Sequence, residues 1–85
     1  MRMTHKNEIS KTIDSLRRGA GMSQSQFGQL LGVSQSTASR KLSGEFPFKA
    51  DEILVCSQTF HVSIDYLYGL CDLSAGRLPK QEVMA

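Results

Sequence analysis

No run of apolar residues in this chain approaches the roughly 18 needed to cross a bilayer, so a membrane-spanning helix is not expected. The amino end, MRMTHKNEISK, lacks the apolar centre of a secretory signal, which points to a cytoplasmic protein. Tryptophan is absent, and 40% of the 85 residues are hydrophobic, enough for one compact helical core and too few for two. Cysteine occurs twice, at Cys56 and Cys71, with no CxxC and no nearby cluster of ligands. A reduced pair is therefore expected, rather than a disulfide or a metal site. Cys56 falls inside an apolar helical pattern and is assigned to the core. There is no Cys/His/acid cluster, no phosphate-cradling glycine loop and no nucleophile motif, and His5 and His61 stand alone. Neither catalysis nor a metal, cofactor or small-molecule ligand is expected.

What the chain does have is a polarised charge. The net value is +2, but residues 1–49 carry eight cations against three acids, a local +5. Residues 50–85 carry two cations against five acids, a local −3. A chain divided in this way can turn a positive face to a polyanion while its other end stays neutral or acidic.

Within the basic half, Ser23 to Leu42 (SQSQFGQLLGVSQSTASRKL) reads as two short helices joined by a tight turn. Ser23 can cap the first, with Gln26 three residues on to complete a capping box and Met22 and Phe27 placed as a hydrophobic staple. Phe27, Leu30 and Leu31 set one apolar face inward at helical spacing. Gly32 stands where a helix ends in a left-handed residue. Ser34 then caps a second helix, with Val33 stapling to Ala38. In that helix, Gln35 to about Leu42, only Ala38 and Leu42 are clearly inward. Gln35, Ser36, Ser39, Arg40 and Lys41 are left on its other faces, which are polar, bear cations and contain no acid.

The residues on either side complete the pattern. Ile9, Ile13 and Leu16 form one stripe of a first helix, with Lys6, Lys11 and Asp14 facing away. Arg17 and Arg18 fall in its last turn, serving either the helix dipole or a phosphate, and Gly21 is the left-handed exit. Gly44 and Pro47 announce a loop, from which Phe46, Phe48 or both fold back on the core, stacking on nucleobases being the weaker alternative. A fourth helix, from about Ala50 to Phe60, turns Ile53, Leu54, Cys56, Ser57 and Phe60 inward. Lys49 stands at its cap position, where lysine cannot cap. His61 reads as a left-handed stop, and Val62-Ser63 opens a fifth helix running to about Leu70. Beyond Cys71 no apolar period is sustained. The chain divides into a domain over 1–70 and a tail over 71–85, which is disordered, packed on a partner subunit, or the stub of a longer regulator.

With Gln24, Gly28, Gly32, Val33-Ser34 and the Ser39-Arg40-Lys41-Leu42-Ser43-Gly44 run in place, residues 8 to 70 resemble the helix-turn-helix domain of the phage repressor and Cro-like (Xre-like) family. The resemblance implies an all-α, compact five-helix lambda-repressor-like domain in which the second and third helices form the helix-turn-helix. Many family members carry an apolar residue followed by an acid where this chain has Lys41 and Leu42. Leu42, four residues after Ala38, can still close the core.

Site expectations follow. Amide and guanidinium groups can read base edges in the major groove, so Gln35 is assigned to adenine and Arg40 to guanine or a phosphate. Ser36 and Ser39, being short, bring the helix close to the bases. Thr37 either touches a thymine methyl or stays structural. Backbone contacts are assigned to Gln24, whose family counterpart braces the motif against a phosphate, and to Ser34, Lys41, Lys49 and Arg17. The function implied is a sequence-specific transcriptional regulator, repressor-like or Cro-like. It would bind a pseudo-palindromic double-stranded operator as a homodimer, its reading helices about 34 Å apart. An antitoxin or protein-interaction adaptor of the same fold is the alternative, with the segment after Cys71 as its contact.

Overall fold

In the computed structural model, residues 6–78 are described. They fold into α1 (Lys6–Gly19), α2 (Gln24–Leu31), α3 (Gln35–Leu42), α4 (Ala50–Phe60), α5 (Ile64–Leu67) and α6 (Leu73–Gly76). The first five are the helices read from the sequence, and the architecture is the all-α one expected. Among the described residues the only extended pairing is an isolated antiparallel bridge between Val62 and Arg77.

Serine begins three of these helices. The hydroxyls of Ser23, Ser34 and Ser63 accept the backbone N–H of Gln26, Thr37 and Tyr66, satisfying amides that have no partner within the helix. At α2 the box closes both ways, since Gln26 Oε1 accepts the Ser23 N–H at 2.8 Å. Lysine cannot do this at α4. There the N3 residue acts alone: Glu52 Oε1 accepts the Lys49 N–H at 2.8 Å. His61 ends α4 in the left-handed region at φ 56°, as expected, and Gly21 leaves α1 at φ 71°.

The helices close around Ile13, Phe27, Ala38, Leu42, Ile53, Cys56, Val62 and Leu67. Burying each of the larger side chains contributes about 1.5–3 kcal/mol. Phe48 folds back on this core, its ring edge-on to Phe27 with centroids 6.2 Å apart. Ser10 is also buried, and its hydroxyl donates to the Lys41 carbonyl at 2.8 Å, tying α1 to the end of α3.

Three expectations need correction. Leu54 is 46% exposed. Ile53, Cys56, Ser57 and Phe60 already follow i, i+3, i+4, i+7, and a residue one step after Ile53 is rotated off that stripe. Asp14 does not simply face away. It is half-buried and holds both Arg17 and Arg18. Finally, residues 71–78 are not a loose tail. Ser63 N–H donates to Gly76 O at 2.6 Å and Leu78 N–H to His61 O at 2.8 Å, so the segment folds back over the start of α5. Gly76 packs so closely there that a Cβ would sit 2.5 Å from Tyr66 Cβ. Residues 1–5 and 79–85 lie outside the described residues.

Candidate nucleic-acid interface

The turn between α2 and α3 fixes the geometry of the site. Gly32, at φ 75°, takes a conformation that costs an L side chain strain. Its N–H donates to Gln29 O at 3.2 Å, and Val33 N–H donates to Gly28 O at 2.9 Å. Together these form the paired bonds of a Schellman stop. The chain then doubles back against the middle of α2. A Cβ at Gly28 would lie 2.9 Å from the Val33 carbonyl oxygen and 3.3 Å from that of Ser34. Only glycine allows this approach, and the approach sets the angle between the two helices.

α3 lies against the body through Ala38 and Leu42, with Ala38 fully buried. Ser36 and Arg40, four residues apart, project from the opposite side and are exposed, as is Gln35 at the first position. Ser39 is half-buried beside them. The exposed side thus offers an amide, hydroxyls and a guanidinium. No aspartate or glutamate occurs anywhere from residue 15 to residue 44. The four residues assigned to base contact share one helix, and three of them are exposed.

The backbone assignments divide. Lys49 is exposed at the amino end of α4, and Gln24 is half-buried at the amino end of α2. Ser34 is exposed, but its hydroxyl is engaged with Thr37, donating to Thr37 Oγ1 at 3.0 Å and accepting the Thr37 N–H. Of the two readings of Thr37, the structural one fits this geometry.

Lys41 does not project toward a ligand. It is 5% exposed, and its Nζ donates to Glu52 Oε1 at 2.8 Å and to Pro47 O at 3.1 Å, beneath the Phe48 ring. The position three residues after Ala38 turns inward, and Glu52 supplies the countercharge that makes burying an ammonium tolerable. Arg17 is likewise withdrawn. Its guanidinium donates twice to Asp14 Oδ1 and, through Nη1, to Met22 O at 2.6 Å, bracing the reversal between α1 and α2. The backbone-contact assignments of Lys41 and Arg17 are therefore corrected: both cations are internal struts.

One contact was not foreseen. The Arg40 guanidinium lies over the Phe46 ring, 5.6 Å from its centroid. Gly44, at φ 88°, turns the chain back so that the N–H groups of Glu45 and Phe46 both donate to Arg40 O, at 2.9 and 3.1 Å. The Ser43-Gly44 pair was the available signal: a reversal there returns the following residues to the last turn of α3. Phe46 is thus apart from Phe48, which alone joins the core.

Buried Cys56, on α4, sits near Glu52. Burial, and then the Glu52 charge, push its thiol up to about 12. Both cysteines are free. Among the described residues no helix is long and apolar enough to cross a membrane.

Comparison with known proteins agrees with a capped helix-turn-helix that displays a polar helix free of acids. No curated protein and no solved structure matches the chain. A family model described as the BetR domain matches residues 3–84, and the chain belongs to that family, a DNA-binding regulatory domain of helix-turn-helix type.

Proposed function

We propose that this DNA-binding domain is a sequence-specific transcriptional regulator of the repressor or Cro-like kind, reading the major groove with α3. The observation that carries the reading is the exposed side of α3, where Gln35, Ser36 and Arg40 stand on one helix set against α2 by the turn at Gly28 and Gly32. An α-helix fits the B-form major groove, and these are side chains whose donors and acceptors can match base edges. The role is recognition rather than catalysis, in the cytoplasm. Binding as a homodimer would place two copies of α3 in successive grooves of a pseudo-palindromic operator, and repression would follow from occluding a promoter.

Selecting bound sites from random DNA tests this directly, because the recovered sequences give both half-site and symmetry. On the selected site, Gln35→Ala is expected to cost roughly 1–3 kcal/mol and relax preference at one base pair. Lys49→Ala is expected to weaken all sequences alike and lower the salt slope by about one. No recovered preference, or an affinity indifferent to salt, would reject the reading.

A second reading draws on a different observation. Leu70, just before the fold-back segment, is 64% exposed, and Leu78 within it 39% exposed. An antitoxin or adaptor of this fold would use such a surface on a protein partner, and weak, salt-insensitive DNA binding would favour it.

A further inference from the structure

We propose that Phe46 is a positioning residue for base recognition. It holds the Arg40 guanidinium in the orientation from which Arg40 reads a base, so that a residue outside the reading helix determines part of the sequence preference. The inference rests on the major-groove reading of α3 given above.

The geometry supports it from two sides. The backbone of Arg40 is fixed where α3 ends, because its carbonyl accepts three bonds at once: from the Ser43 hydroxyl at 3.0 Å and from the Glu45 and Phe46 amides. The side chain is then steered by the ring, with the guanidinium carbon 5.6 Å from the Phe46 centroid. Arginine ordinarily loses much side-chain freedom when it forms paired bonds to guanine. A guanidinium already resting on an aromatic face has lost part of that freedom beforehand. With its charge over the ring face, 5.6 Å from the centroid, the guanidinium is held near the exposed side of α3 while Arg40 stays exposed to a ligand. Phe46 is half-buried and, unlike Phe48, is not packed on the hydrophobic core. Its ring can therefore be changed with little effect on folding.

The test compares wild type with Phe46→Leu, Phe46→Tyr, Arg40→Ala and the Arg40→Ala/Phe46→Leu double variant. Affinities are measured by fluorescence anisotropy on the selected operator and on all of its single-base variants, at one salt concentration. Thermal unfolding confirms that each variant is folded. Arg40→Ala is expected to abolish discrimination at one base pair per half-site. Phe46→Leu is expected to weaken discrimination at that same base pair by roughly two- to fivefold, leaving the base pair read by Gln35 unchanged. Phe46→Tyr, which keeps the ring, should restore it. In the Arg40→Ala background, Phe46→Leu should have no further effect on the profile.

A uniform loss across all sequences, or a Phe46→Leu effect that persists without Arg40, would show a structural role and overturn the proposal. The underlying reading fails differently, with no sequence preference in the wild type or with Gln35→Ala leaving the profile intact. If the wild type is selective but Arg40→Ala changes no base preference, the reading stands and the role of Phe46 is overturned.

Discussion

Lys41 shows how much one side chain can decide. On sequence it is one more cation at the end of a basic helix; in the fold it joins α3 to α4 through Glu52 and closes the Phe46–Phe48 loop through Pro47 O. Removing one partner of a buried pair leaves the other charge stranded, at a cost of about 3–5 kcal/mol. Lys41→Met is expected to lose stability on that scale in urea unfolding. Adding Glu52→Gln, which keeps an acceptor for the Lys49 amide, should recover most of the loss. The double variant should keep the salt slope of DNA binding, whereas a slope lower by about one would show Lys41 reaching a phosphate after all. Cys56 gives a second prediction. Its thiol is raised to about 12 in the folded state against 9.0 for the free group. The unfolded chain thus ionises first as pH rises, so this contribution to stability is intact below about pH 9 and is lost between there and about 12. Alkylation at pH 8 should modify Cys71 and reach Cys56 only upon unfolding. Rapid labelling of Cys56 in the folded protein would contradict its burial.

At the scale of elements, the turn between α2 and α3 depends on a missing methyl group. In an open helix, glycine to alanine gains up to about 1 kcal/mol. At Gly28 the sign reverses, because the added carbon would meet the Val33 carbonyl oxygen at 2.9 Å, and backbone cannot move aside cheaply. Gly28→Ala is expected to cost about 1–3 kcal/mol and to weaken DNA binding beyond what the stability loss explains. Unchanged melting and unchanged affinity would show that the turn has slack. Local features of this kind were legible in the sequence. Ser23, Ser34 and Ser63 announce their helices, and Gly32 and His61 mark the ends, because caps and left-handed stops are set by residues within a few positions. The exposed Gln35, Ser36 and Arg40 follow from the same helical arithmetic. What could not be read was tertiary. The inward turn of Lys41 depends on a carboxylate eleven residues later, and Arg17 depends on the Met22 carbonyl across a reversal. Leu54 was misplaced because it stands one step past Ile53, about 100° off the stripe that Ile53, Cys56, Ser57 and Phe60 define.

Over the whole molecule, the fold-back of residues 71–78 extends the domain past the boundary its apolar pattern suggests. That segment is held by backbone bonds to His61 and Ser63 rather than by a periodic face, so hydrophobic spacing carried no sign of it. Gly76 is there a point of close contact with Tyr66. A chain ending at residue 70 is expected to melt several degrees lower than the full chain, since about 1 kcal/mol shifts a domain of this size by roughly 4–8 °C. An identical melting temperature would mean the segment contributes nothing. The Lys41–Glu52 strut has a wider consequence. With α3 anchored at its far end, its tilt is not free to drift when the outward side chains change. On the major-groove reading proposed above, new target preferences are expected to follow from exchanging Gln35, Ser36 and Arg40, as one changes the type in a press whose frame stays put.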